Sequence, residues 1–568
     1  QHGTPAGEAV MATVKHYIAN EQELDRQTSS SNVDGRTLRE VYDAPFRIAI
    51  TKGEPGSVMC SYNQVNGVYA CENPILNNLL KADDGFQGYV MSDFGAVHST
   101  SPSLNAGLDQ ELNRPNFYTP ANIGAALDAG QVTRAQIDAA AFRVVRAYIA
   151  AGLFDNPLPA TPSTSSSTPA HKAIAEQEAE QGSVLLKNDS VLPFGSADKK
   201  IAVIGQTAAN APTPVSVGST TVPVSAATVC AEGGLLSPFG GGAASAPCPN
   251  PVAPLDAITA RAAQDGASVV YDNGSDPAAA AAAAKSADVA VVFAFAKQGE
   301  FADRTDLSLD ANGEALISAV AAANPDTVVV LETGSAVAMP WLSQVKGVVE
   351  AWYPGDQQGT ALAKLFYGDV NFTGKLPMTF PKSLADVPEQ TPQQYPGVFA
   401  NGSTTRPAGS SEIRQVSYSE RLAVGYKWYD SKNIEPLFPF GYGLSYTTYS
   451  YDSLHVTTSG RPGKQQLKVT FRVRNTGTAA GTETSQVYLT LPSATGEPGK
   501  RLVGYAQVAL RPGQRSTVSV TVRENSPDLP LSYYDTTTHS WQTAPGTYSV
   551  QAGSSSRTLP LEASFPLN

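Results

Sequence analysis

Three short apolar runs deliver polar groups at their C-terminal ends, and they recur at the spacing of βα units. Ala9 to Tyr17 ends in Lys15-His16, Ser57 to Cys60 runs into Ser61-Tyr62-Asn63, and Tyr89 to Met91 runs into Ser92-Asp93. Thr37 to Thr51 and Asn73 to Asp83 carry helical periodicity between them, the second opened by Pro74, and Ala121 to Gly152 adds two helices. Parallel α/β barrels keep their functional groups on loops at the C-terminal strand ends. A strand that enters Asp93 directly therefore holds a carboxylate rigidly at a cleft. The alternative is that Ser92 or Asp93 caps the next helix.

A complete (β/α)₈ barrel takes roughly 250 residues, so residues 1–155 supply only its later units. Half a barrel leaves an unpaired edge and an exposed core, which predicts upstream sequence or a separate N-terminal segment that completes it.

The chain has 568 residues, and about one domain per 150 residues predicts several domains. A Pro/Ser/Thr linker, 156–170, ends the first. A helix from His171 to Leu186 then precedes the continuously apolar runs Lys200 to Gly205, Val289 to Ala294 and Thr327 to Leu331, the pattern of parallel strands covered on both faces. Residues 171–395 thus read as an α/β domain and 396–454 as a connecting segment. Short alternating strands fill 455–568: Gln466 to Arg474, Glu483 to Leu491, Leu502 to Leu510, Arg515 to Val522 and Gly546 to Gln551. That is β-sandwich spacing, in a scaffolding rather than catalytic role.

A net charge of −12 without any basic block argues against nucleic acid, and no apolar run is long enough to cross a membrane. The four cysteines form two local pairs, Cys60 with Cys71 and Cys230 with Cys248, which fit two disulfides better than a metal site; four reduced, buried thiols are the alternative. Sequons begin at Asn188, Asn273, Asn371 and Asn401, and a low charged fraction of 16% suits a secreted protein.

Asp93 follows Tyr62 by 31 residues, about one βα repeat, so both point into one mouth with Lys15 and His16 upstream. Lysine and histidine donate to hydroxyls, tyrosine offers a ring with a polar tip, and aspartate accepts or attacks. This is a polyol-binding set, without the ligand cluster of a metal site and without need of a cofactor. Cleavage of a glycoside needs a second carboxyl. The candidate partner is Glu300, in the loop Lys297 to Arg304 that follows the strand ending near Ala294; Asp303 is a weaker one, and Asp303 with Arg304 also reads as a surface ion pair.

At this point the sequence resembles the glycoside hydrolase family 3 β-glucosidases over nearly its whole length. The resemblance is carried by Lys15-His16-Tyr17-Ile18-Ala19-Asn20-Glu21-Gln22-Glu23, Met59-Cys60-Ser61-Tyr62-Asn63 and Gly85-Phe86-Gln87-Gly88-Tyr89-Val90-Met91-Ser92-Asp93, with further matches at Trp352-Tyr353-Pro354-Gly355, Gly374-Lys375-Leu376-Pro377 and Pro439 to Tyr446. It implies a partial (β/α)₈ barrel, an α/β sandwich and a fibronectin type III-like domain, with the sugar held where the first two meet. It implies Asp93 as nucleophile, Glu300 as acid/base in place of a Gly-Glu-Gly loop, and Lys15, His16, Met59 and Tyr62 as residues lining the sugar subsite. Two departures stand out: Phe301 occupies a glycine position, and Phe94 replaces the tryptophan after the nucleophile, which alters the aglycone-side platform. The family's upstream aspartate and arginine have no counterpart in residues 1–155. The N-acetylglucosaminidase branch is disfavoured, because its Asp-Ser-His pattern is not found.

The reading is a secreted, retaining, exo-acting β-glucosidase releasing terminal β-linked glucose or a related sugar from oligosaccharides or glycosides. The rival is a non-catalytic fragment or carbohydrate-binding subunit that needs a partner segment to complete the barrel. Beyond substrate, the candidate partners are that N-terminal segment and a second copy of the chain.

Overall fold

The structure, a computed structural model, describes residues 10–157, 161, 167–217, 220–230, 248, 251–296 and 298–567. The start of the first expected strand at Ala9, most of the linker 156–170 and Lys297 lie outside the described residues.

In the first unit, Thr13–Tyr17, Ser57–Cys60 and Tyr89–Ser92 form a parallel three-stranded sheet in that order. Val58, Cys60 and Val90 point to the face covered by helices, where they pack with Phe46, Leu76 and Leu79. Helices fill both expected connections: Ala44–Gly53 is α-helical, while Leu38–Tyr42 before it and Leu76–Asp83 are wound as wide π-turns. Tertiary packing of Leu38, Leu76, Leu79 and Leu80 overrides the local preference for α-helix there. The helices Pro120–Asp128 and Arg134–Ala150 follow, the second opened by a Thr133/Gln136 capping box. Phe142, Val145 and Ile149 on that last helix are exposed.

The second unit is a six-stranded sheet in the order Ser268–Asp272, Lys200–Ile204, Val289–Phe295, Thr327–Glu332, Gly347–Glu350 and Val184–Asn188. Every residue of Val289–Phe295 is buried, as both covered faces require. Here the sequence reading is corrected: the helix expected to reach Leu186 ends at Gly182, and Val184–Asn188 is an edge strand antiparallel to Gly347–Glu350. The Gly182-Ser183 break releases Val184, Leu185 and Leu186 to bury in the sheet, a stronger pull than continuing an exposed helix.

The third unit packs Tyr449–Ser459, Gln466–Asn475 and Arg515–Arg523 against Arg501–Leu510, Gly481–Thr490, Gly546–Gly553 and Leu561–Leu567. Its first strand starts at Tyr449, before the expected boundary. This sandwich braces the first unit: the Arg501 guanidinium donates to Glu40 at 2.7 Å, and Arg36 reaches the Thr495 carbonyl at 2.6 Å.

The connecting segment contributes one strand to the first unit. Arg414–Ser417 pairs in parallel with Ser29–Asn32, and the Arg414 side chain grips Asp25 at 2.7 Å. Asp25 also pairs with Arg406 at 3.1 Å, so the turn preceding Arg26 is clamped from outside its own domain.

Candidate active site

Asp93 leaves the strand Tyr89–Ser92 with its N–H donating to the Cys60 carbonyl of the neighbouring strand at 3.1 Å. The Cys60–Cys71 disulfide closes the loop carrying Tyr62 and Asn63, and Asn63 donates to the Ala19 carbonyl at 3.0 Å. Three expected site residues therefore converge: His16 Nε2 lies 3.1 Å from Asp93 Oδ2, and the Tyr62 hydroxyl donates to the same carboxylate. The Phe94 N–H closes the set, donating to Asp93 Oδ1 at 2.7 Å.

These donors set the charge. Burial alone pushes the Asp93 carboxyl up; hydrogen bonds from His16, the Phe94 N–H and Tyr62, with the attraction of His16, overcome it and hold the group below its ordinary value. Tyr62 moves the other way, because burial and the adjacent Asp93 charge both disfavour its phenolate. The result is an anion beside a firmly protonated hydroxyl.

Glu300 comes from the loop after Val289–Phe295, and a residue that sequence reasoning misses ties it to the first unit. Arg26 is 8% exposed and donates to Glu300 Oε1 at 2.6 Å, while its other terminal nitrogen lies 3.1 Å from Glu23 Oε2. The guanidinium is stacked between two rings, 4.6 Å from Tyr62 and 4.6 Å from Phe301. Burial pushes Arg26 down, but Glu300 and Glu23 more than offset it and hold the charge in place. A continuous path thus runs from Asp93 through Tyr62 and Arg26 to Glu300.

The same loop is fastened twice more. Glu23 Oε2 accepts the Phe301 N–H at 2.9 Å. Asp303 accepts the N–H groups of Glu23 at 2.9 Å and Leu24 at 3.0 Å and the Tyr395 hydroxyl at 3.1 Å. Asp303 therefore joins three parts of the chain, a positioning task rather than a proton-donating one. A cavity of about 270 Å³ opens along this loop, lined by Gln298, Glu300, Asp303 and Asp306 among others.

The remaining expected residues are less engaged. Lys15 is exposed on its strand. Met59 pairs in register with Met91 and packs with Met11, Tyr89 and Leu112 in an apolar cluster rather than in the hydrogen-bonded group. Phe94 is 49% exposed beside the nucleophile position. Both cysteine pairs form the disulfides read from their spacing.

A carboxylate charged by donors at a barrel strand end, joined through an arginine to a second carboxyl from an α/β domain, defines a glycoside hydrolase of the three-unit type. Comparison with known proteins places the chain more closely. Residues 2–147 match the glycosyl hydrolase family 3 N-terminal domain, residues 183–446 its C-terminal domain and residues 483–556 the fibronectin type III-like domain. A β-glucosidase, cel3A, of Pyricularia oryzae is 35% identical over 98% of this chain and 77% of its own length. The thermostable β-glucosidase B of Acetivibrio thermocellus is 35% identical over 99% of this chain and 70% of its own. Among solved structures, the β-glucosidase D2-BGL of Chaetomella raphigera superposes with a TM-score of 0.85 at 35% identity, covering 98% of this chain and 79% of that one. The chain belongs to glycosyl hydrolase family 3.

Proposed function

We propose that this chain is a retaining, exo-acting β-glucosidase that releases terminal β-linked glucose, or a related sugar, from oligosaccharides or glycosides. The observation that carries the reading is the joining of Asp93 and Glu300 through Tyr62 and Arg26 across two domains. The non-catalytic alternative is not favoured, since relatives along the whole chain are named β-glucosidases.

In this mechanism Glu300 protonates the departing glycosidic oxygen while Asp93 attacks the anomeric carbon, forming a glycosyl ester. Glu300 then takes a proton from water, which attacks the same carbon and releases Asp93. Retention by this route requires the carboxyl groups about 5–5.5 Å apart in the reacting complex. His16 and Tyr62 keep Asp93 ionised for attack, and Tyr62 withdraws its hydrogen bond as the ester forms. Arg26 orients Glu300 until the sugar and its leaving group compete for the guanidinium.

We also read the chain as exported: two disulfides, four sequons and a low charged fraction suit an oxidising compartment.

The test is chemical rescue. Glu300→Ala should lower turnover of 4-nitrophenyl β-glucoside by about 10²–10⁴-fold, the usual contribution of a general acid/base. Azide should restore turnover on 2,4-dinitrophenyl β-glucoside, whose leaving group needs no proton, by displacing Asp93 as β-glucosyl azide. Wild-type rates in Glu300→Ala with no effect of azide would move the acid/base elsewhere.

A further inference from the structure

His16 and Tyr17 end the strand Thr13–Tyr17, and their side chains go separate ways. His16 reaches Asp93, whereas Tyr17 is wholly buried in the helix layer, edge-on to Phe46 with ring centroids 4.9 Å apart. The Tyr17 hydroxyl donates to Asp43 Oδ1 at 3.0 Å. Asp43 is itself wholly buried, between Leu38–Tyr42 and Ala44–Gly53, and its other oxygen accepts from the Arg47 guanidinium at 3.2 Å. The strand end that presents His16 to Asp93 is thus fastened from behind by one carboxylate.

A second acid meets that carboxylate. Asp84 closes the helix Leu76–Asp83, its N–H donating to the Leu79 carbonyl at 2.9 Å, and its side chain hydrogen-bonds Asp43. Two carboxylates have no hydrogen to share, so one of the pair is protonated. Asp84 Oδ2 is buried and receives no donor among the described residues, while each Asp43 oxygen receives one. The proton therefore belongs on Asp84, where it bridges the helices that follow the first and second strands of the sheet. Around the pair, Arg47 and Arg39 favour ionisation and Asp83 opposes it, with the Tyr17 hydroxyl on Asp43. The third unit presents the Pro527 carbonyl and the Trp541 ring to Arg47 and the Tyr534 ring to Arg39. Burial and the Asp43 charge prevail and push Asp84 up to about 8.

We propose that Asp43 is a positioning residue for His16, and that the proton bridging it to Asp84 is what lets it act. With the proton in place, Asp84 holds Asp43 against Tyr17. Once the proton is lost, two anions lie in contact in a buried layer. Their repulsion draws Asp43 off the Tyr17 hydroxyl and loosens the strand end that carries His16. The inference rests on the glycosidase reading above and adds a positioning residue with an alkaline limit.

The experiment uses 2,4-dinitrophenyl β-glucoside, whose leaving group needs no proton, so that kcat/KM does not follow the protonation of Glu300. It is measured from pH 6.5 to 9.5 in wild type, Asp84→Asn and Tyr17→Phe. Asparagine keeps an N–H for Asp43 and cannot ionise; phenylalanine keeps the ring against Phe46 and loses the hydroxyl. Wild type should lose about tenfold in kcat/KM above pH 8, and Asp84→Asn should stay within about twofold across the range. Tyr17→Phe should start about tenfold below wild type at pH 6.5 and then stay flat, because the link to the pair is cut. A structural role alone would lower the melting temperatures and leave all profiles parallel. Parallel profiles for wild type and Asp84→Asn, or wild-type rates in Tyr17→Phe, overturn this inference alone. A wild type that does not hydrolyse the glucoside at any pH overturns the glycosidase reading and the inference with it.

Discussion

Carboxyls stand at the C-terminal ends of parallel strands in both units, and the surroundings of Asp93 in the first and of Glu332 and Glu350 in the second give them different charge. Asp93 follows Tyr89–Ser92 with a side chain 13% exposed and receives His16, Tyr62 and the Phe94 N–H. Glu332 and Glu350 end Thr327–Glu332 and Gly347–Glu350 and are wholly buried. No hydrogen bond of normal geometry reaches either Glu332 oxygen among the described residues, and burial pushes the group up to about 8 against the pull of the Thr207 hydroxyl. Glu350 receives the Trp352 N–H at 3.0 Å and the Thr333 hydroxyl at 3.2 Å, yet burial still holds it well above its ordinary value. A strand end delivers a carboxyl to a fixed place; the donors waiting there decide whether it is an anion. The same position yields an anion in one domain and neutral core acids in the other.

Exchanging the roles should separate the two regions by the widest margin. Asp93→Ala should lower turnover of an aryl β-glucoside by at least about 10⁴-fold, whereas Glu332→Gln should stay within about threefold of wild type. Comparable losses in both would erase the distinction. A smaller effect is expected one step from the chemistry: Arg26→Ala frees Glu300 from its orienting bond and should reduce kcat/KM roughly 100-fold while circular dichroism stays unchanged. Retention of full activity would show that the Tyr62–Arg26–Glu300 path does not position the acid.

The smallest effect lies in stability. Glu332 has a folded value near 8 against an ordinary 4.5, so its favourable contribution is complete below pH 4.5 and is lost as pH rises toward 8. Glu332→Gln cannot ionise, so its unfolding free energy should fall less steeply than wild type across that window, by up to roughly 1.4 kcal/mol per pH unit. Parallel urea-denaturation curves for the two chains at pH 5 to 8 would mean that Glu332 is not held neutral.

How much of this was legible follows from range. The strand ends at Lys15-His16, Ser61-Tyr62-Asn63 and Ser92-Asp93 are visible because each is a local change from apolar run to polar group. The β-sandwich strands are visible for the same reason, since alternation is a property of neighbours. Arg26 is invisible in this sense: Asp25-Arg26-Gln27 looks like a surface turn, and its partner Glu300 lies 274 residues away. The strand Val184–Asn188 hides behind a helix whose apolar pattern it continues, and only its sheet neighbour Gly347–Glu350 decides the matter. Glu332 offers no warning at all, because a glutamate ending an apolar run looks the same whether the next layer supplies donors or none. Asp303 shows the reverse: its resemblance to a surface acid hides contacts with Glu23, Leu24 and Tyr395 that only folding assembles.

The central claim is that Asp93, kept ionised by its donors, forms the covalent bond to sugar. A 2-deoxy-2-fluoro-β-glucoside with a dinitrophenyl leaving group slows hydrolysis of the ester more than its formation and so traps it. After incubation and proteolysis, mass spectrometry should find one fluoroglucosyl group on the peptide spanning Gly88 to Phe94, attached at Asp93, with activity lost in proportion to labelling. Labelling of a different carboxyl, or full inactivation with no sugar on Asp93, would contradict the account.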